Sequence, residues 1–232
     1  MSEGEWLICS DPTRMLKFVG ANCSTRKFRL LGCGLARQIW HLLTDERSRA
    51  AVEISERYAD GLAEKAELDA AIALAMVVAD GAYSGSAAPD AAAYATSTAV
   101  DTAAALSVQA MALALSTSAD AVACAVAETT PDKEYDKKCE AARTAHCSAQ
   151  CCLLRDMFGP LPFRRVTLQG LTPVVTTLAG SIYAEGAWDR LPILGDSLEE
   201  AGCTDVEILG HCRAATSHVR GCWVVDLVLG KE

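Results

Sequence analysis

The chain has 232 residues, 51% hydrophobic and 22% charged, which suits a folded protein with a sizeable core and excludes a disordered one. Aromatics are only 6%, so alanine supplies much of the apolar count, and a core built on alanine needs backbones that approach closely. The net charge of −9 lies in the middle, where residues 66–132 hold 8 acids and no Lys or Arg; such a surface disfavours nucleic acid, whose binding rests on clustered basic residues.

The N-terminus, Met1-Ser-Glu-Gly-Glu-Trp6, has neither a basic start nor an apolar stretch, so no secretory leader is expected. Ser2-x-x-Glu5 is a capping-box pattern ahead of Trp6 and Leu7. Asp11-Pro12 places a cap before a proline at the first helical position, with Met15, Leu16 and Val19 as the apolar face and Gly20 as the stop. From Ser24 onward Phe28, Leu31, Leu35, Ile39 and Leu42 recur at helical spacing. Arg26, Lys27 and Arg29 at the head of this helix read as a solvated face. Thr44-Asp45 caps a further helix through Tyr58, ended near Gly61.

The middle is alanine-rich: 18 of the 41 residues from 87 to 127 are Ala. Asp80, Asp90 and Asp101 recur 10 and 11 residues apart, as Tyr83 and Tyr94 do, a spacing that places residues on one helical face. Gly81, Gly85 and Pro89 break the run into at least two helices, which pack through small residues or offer a self-association face. The longest uncharged run, 102–119, carries Ser107, Gln109, Ser116, Thr117 and Ser118 and falls short of the roughly 20 apolar residues of a membrane span. No membrane partner is expected.

Thr130-Pro131 restarts a helix that runs to Phe158, where Gly159, Pro160 and Pro162 end it. Thr172-Pro173 opens the next, with Val175, Leu178 and Ile182 inward. Asp189 is expected to cap a helix through Ala201 stopped by Gly202, and Thr204-x-x-Glu207 forms a second capping box. The final element, 219–229, is apolar on nearly every side and reads as a buried helix, with a strand as the alternative because of Val224, Val225 and Val228.

Several stretches at the two ends stand out: 37–49 and 56–61, Leu154-Arg-Asp-Met-Phe-Gly159, Asp189-Arg-Leu-Pro-Ile-Leu194 through Ala201-Gly-Cys203, His211-Cys-Arg213 and His218-Val-Arg-Gly-Cys-Trp-Val-Val-Asp226. Through them both ends resemble an uncharacterised family of alanine-rich, all-helical bacterial proteins. The resemblance implies a helical fold and brings no activity, cofactor or site residue.

The tightest chemical constellation is Cys203, His211, Cys212, His218 and Cys222, soft and borderline ligands of the kind zinc prefers. His218 and Cys222 stand four apart and would share a helix face, whereas adjacent His211 and Cys212 point apart. No Cys-x2-Cys or His-x3-His pair supports a metal site, so the favoured reading makes Cys203 and Cys222 core thiols, with no cofactor; zinc is the alternative. A second set, Cys139, His146, Cys147, Cys151 and Cys152, reads as small residues packed against the alanine-rich helices. Asp226, inside the apolar last element, needs a partner such as Arg213 or Arg220, and a catalytic carboxylate there ranks last.

The sequence therefore predicts an all-α bundle of about eight to ten helices with an alanine-rich, closely packed middle. Its segments are 1–61, 62–158 and 159–232, forming one compact domain. The 11 cysteines, an odd number without an export signal, suggest reduced thiols and a cytoplasmic location. The leading functional reading is a non-catalytic protein-interaction or scaffold module, with a protein partner or self-association. A small metal-binding or thiol protein using the C-terminal Cys/His set is the alternative.

Overall fold

The computed structural model describes residues 1–20, 23–83, 91–104, 107–128, 134–168 and 171–231. The fold is all-α: among the described residues there are twelve α-helices and no strand. The helices are α1 (Glu3–Ile8), α2 (Pro12–Val19), α3 (Thr25–Gln38), α4 (Glu46–Ala59), α5 (Lys65–Tyr83), α6 (Ala91–Ala104), α7 (Val108–Ala127), α8 (Tyr135–Phe158), α9 (Pro173–Glu185), α10 (Leu191–Glu200), α11 (Val206–Arg213) and α12 (Trp223–Leu229). Short 3-10 turns occupy Trp40–Leu42 and Trp188–Arg190.

Most helix starts follow the expected capping chemistry. Ser2 and Glu5 satisfy each other's backbone N–H groups at 2.8 and 3.2 Å, and the side chains of Asp11, Ser24, Asp45 and Thr172 accept from Arg14, Lys27, Arg47 and Val175. Three starts differ. Asp189 sits within a 3-10 turn, and α10 begins at Leu191 without a side-chain cap, its start fixed by Pro192 in the first turn. Asp205, not Thr204, caps α11, because its carboxylate accepts from both Glu207 N (2.9 Å) and Ile208 N (3.2 Å). The last element is a helix, but it starts at Trp223, since Gly221 at φ +92° turns the chain just ahead of it. Gly81 does not break the middle; it lies inside α5. Gly85, Pro89, Asp90, Thr130 and Pro131 lie outside the described residues.

Contacts divide the chain into two compact units: one holds residues 1 and 8–151, the other 2–7 with 152–232. In the first unit α6 packs on α7, α5 and α3, and α4 on α5. Ala95, Ala99 and Ala103 recur every four residues on α6, so one face is buried without bulky side chains. Ala95 and Ala99 join Cys33, Ala36, Ile39, Leu43, Val52 and Ala121 in one core cluster, and Ala103 joins Ala51, Ala71 and Ala75 in another. α7 alone among the described helices is long and apolar enough to cross a membrane. It packs on α6, α3 and α2, and polar contacts fasten it: Thr98 Oγ1 lies 3.0 Å from Thr117 Oγ1, and Gln150 Nε2 donates to Leu115 O and Ser118 Oγ.

The head of α3 is not a solvated face. Arg29 is buried, donating to Ala103 O at 2.6 Å with its guanidinium over the Tyr58 ring; Arg26 is clamped to Asp60 at 3.0 Å, and Lys27 is buried. Partnered cations inside a core of small side chains replace the packing that larger residues would give.

The second unit is built on larger residues. α9, α10, α11 and α12 close around Val175, Ile182, Tyr183, Leu194, Leu198, Ile208, Trp223, Val224, Val225 and Val228. α12 is buried along almost its whole length, as its apolar sequence requires.

Candidate metal centre

Four side chains of the second unit converge. Asp156 lies in the last turn of α8, His211 in the last turn of α11, His218 in the segment joining α11 to α12, and Cys222 at the N-cap of α12. One ligand atom from each lies within 4.8 Å of every other. His211 Nε2 is 3.1 Å from Cys222 Sγ and 3.2 Å from Asp156 Oδ1, while His218 Nδ1 is 2.5 Å from the same Oδ1. Asp156 Oδ2 accepts from Val219 N at 3.2 Å, which fixes the carboxylate against the 214–222 segment.

Glycine makes this arrangement possible at two points. Gly221 turns the chain so that Cys222 comes back to His218. Gly159, at φ +48°, ends α8 directly beneath Trp223; a Cβ there would lie 2.6 Å from the indole. Trp223 in turn stands edge-on to His211, with ring centroids 5.4 Å apart, and His211 edge-on to His218 at 4.9 Å.

Asp156 and His218 side chains are each 3% exposed and Cys222 is fully buried, whereas the His211 side chain is 14% exposed. Burial alone would raise the Asp156 carboxyl, but hydrogen bonds from His211 and His218 and their charge outweigh it and hold the group below its ordinary range. The buried Nε2 of His218 has no hydrogen-bond partner among the described residues. A single carboxylate oxygen therefore serves two imidazoles, one of which also serves a thiol.

The geometry discriminates between chemistries. In a Cys–His–Asp triad the thiol and the carboxylate engage opposite ring nitrogens. Here both face the same atom, His211 Nε2, which is convergence on a point rather than a relay. A tetrahedral ion with bonds of about 2.0–2.3 Å needs ligand separations of about 3.3–3.8 Å. The observed 2.5, 3.1 and 3.2 Å, with none above 4.8 Å, reach that by shifts of about an ångström.

Of the five residues singled out from the sequence, His211, His218 and Cys222 come together and Cys203 and Cys212 do not. Cys212 packs into the core beside Gly195, where burial pushes its thiol up to about 12, and Cys203 is also a core thiol. His218 and Cys222 share no helix face; the Gly221 turn brings them together instead. Sequence reasoning missed Asp156, although an acid among buried Leu153, Leu154, Met157 and Phe158 is a visible signal. Of the α8 cysteines, Cys139 and Cys151 are buried, Cys147 is half-buried and Cys152 is exposed. Among the described residues they form no metal-competent group with His146. Asp226 is buried in α12; of the two arginines expected beside it, Arg213 is held by Asp196 (2.7 Å) and Glu199 (2.5 Å).

No protein-family profile, curated protein or solved structure matches this chain.

Proposed function

We propose that the protein binds one zinc-class divalent cation through Asp156, His211, His218 and Cys222, and that the ion holds α8, α11 and α12 in register. The observation that carries this reading is the position of His211 Nε2, within 3.2 Å of both a thiol sulfur and a carboxylate oxygen. The donor set of one sulfur, two imidazole nitrogens and one carboxylate oxygen is borderline-soft, as zinc prefers over magnesium or calcium. A carboxylate and a thiolate together neutralise a 2+ ion, so the complex is uncharged in its buried site. Four protein ligands leave no open position, which favours a structural over a catalytic ion. A thiolate ligand at Cys222 suits a reducing compartment such as the cytoplasm.

The test is metal content. Reduced protein purified without chelator should carry one zinc per chain; Cys222→Ser and Asp156→Asn should each weaken binding by about 10-fold or more, and Cys212→Ala should leave it intact. Zinc at background level in the wild type, or retained equally by both ligand variants, defeats the proposal.

An interaction or scaffold role is supported by a separate observation. α5 exposes Leu74, Met76 and Val77 on one stretch, 54%, 48% and 61% accessible, an apolar surface suited to a protein partner or a second copy. Sedimentation of wild type against Leu74→Glu tests self-association: a single monomeric species in both removes that form of the reading.

A further inference from the structure

Within the first unit α7 and the start of α8 run antiparallel, and three contacts fix their register. Gln150 donates to Leu115 O and Ser118 Oγ, Arg143 pairs with Asp120 at 2.7 Å, and Cys139 Sγ lies 3.5 Å from Ala123 O. Rising numbers on α7 therefore meet falling numbers on α8. Four residues on from Asp120 and four back from Arg143, one helical turn along, this register sets Cys124 opposite Cys139. Both cysteines line one open cavity of about 330 Å³, beside Tyr135, Asp136 and Arg143. Their access differs: Cys139 is buried, whereas Cys124 is half-buried.

The separation suits a bond. A carbonyl oxygen stands about 2.8 Å from the next Cα, so Cys139 Sγ lies within about 6.3 Å of Cys124 Cα. A disulfide needs those two atoms within about 4–5 Å, which a movement of about 2 Å at most achieves. We propose that Cys124 and Cys139 form a reversible exchange site for a low-molecular-weight disulfide, with Cys124 as the attacking thiol and Cys139 as the resolving one. Neither residue belongs to the metal centre. The Cys124 thiolate attacks one sulfur of the reagent RSSR, forming a mixed Cys124–S–S–R bond and expelling RS⁻. The Cys139 thiolate then attacks Cys124 Sγ, closing the Cys124–Cys139 bond and expelling the second RS⁻. The two protons lost by the cysteines go to the two RS⁻ groups; the protein pair is oxidised by two electrons and the reagent reduced to two thiols. A reducing thiol reverses both steps, so in a reducing compartment the bridge between α7 and α8 is transient. Burial and the charge of Asp120 raise the Cys124 thiol, so exchange quickens above neutral pH.

The test exposes the reduced full chain to 2-hydroxyethyl disulfide, a small neutral reagent, at about pH 8.5, then blocks remaining thiols with iodoacetamide. Trypsin separates the two cysteines at Lys133, Lys137 and Lys138, and mass spectrometry should find their peptides joined by a disulfide. In Cys139→Ala nothing resolves the first step, so Cys124 should hold at least about tenfold more mercaptoethanol adduct than in the wild type. In Cys124→Ala, buried Cys139 should gain no adduct. The wild-type map stands even where a variant fails to fold. Cys124 that stays unmodified, that keeps its adduct in the wild type as fully as in Cys139→Ala, or that joins a different cysteine overturns the pair.

Discussion

Replacing Gly159 by alanine is the sharpest structural perturbation of the centre that touches no ligand. Two costs add. The backbone sits at φ +48°, where an L side chain costs about 1–2 kcal/mol. The new Cβ would also lie 2.6–2.7 Å from three atoms of the Trp223 indole, a clash relieved only by moving a ring that is 2% exposed. Overpacking of this kind typically costs about 1–3 kcal/mol, so the total should be about 2–5 kcal/mol. Gly230→Ala in the same unit is the control: φ is +62°, but nothing lies within 4 Å of a Cβ, so only the backbone cost applies. Urea denaturation followed by circular dichroism measures both. Because Trp223 follows Cys222 and stands against His211, Gly159→Ala should also weaken metal binding while Gly230→Ala does not. Equal losses in the two variants would refute the claim that Trp223 braces the centre through Gly159.

The pH dependence of stability has a marked contributor in His146, whose imidazole is pushed down to about 4 by burial and the charge of nearby His41. The unfolded chain takes up this proton near pH 6.5 and the folded one only near 4, so stability is fully present above 6.5 and lost as pH falls between those values; His146→Gln should remove about 2–3 kcal/mol of that loss, and identical acid profiles would contradict it. Leucine at Ala95 or Ala99, both fully buried, should cost about 1–3 kcal/mol in thermal or urea unfolding, whereas exposed Ala73→Leu should be nearly neutral; a flat response would mean that α6 is not closely packed. Chelator should lower the melting temperature of the wild type but not of Cys222→Ser, because a structural ion contributes directly to folding.

The helices were legible in the sequence because their signals are local. Ser2, Asp11, Ser24, Asp45 and Thr172 each cap through an amide two or three residues away, and the period of apolar residues marks the buried face without reference to the rest of the fold. Asp189 and Thr204 failed as caps because a neighbouring Pro192 and a better-placed Asp205 competed with them. The centre was half legible. His211, His218 and Cys222 stood out by residue type, yet their spacing matched no metal motif, because a turn at Gly221 and a helix end, rather than one helix face, bring them together. Asp156 lies 55 residues before His211, a separation that only tertiary packing closes. Cys203 and Cys212 were indistinguishable from ligands by chemistry alone; burial in the α10–α11 core separates them. Buried Arg29 and Lys27 were misread for the same reason, since a basic residue carries no local sign that a carbonyl or ring waits elsewhere in the chain.

X-ray absorption at the zinc edge of the reduced, zinc-loaded protein bears most directly on the proposed centre. One sulfur at about 2.3 Å and three nitrogen or oxygen ligands at about 2.0–2.1 Å is the shell that Cys222, His211, His218 and Asp156 provide. Cys222→Ser should delete the sulfur scatterer. A shell with two or more sulfurs would place the ion among other cysteines, and a six-oxygen shell would mean that the zinc is held outside the protein's interior; either result contradicts the site.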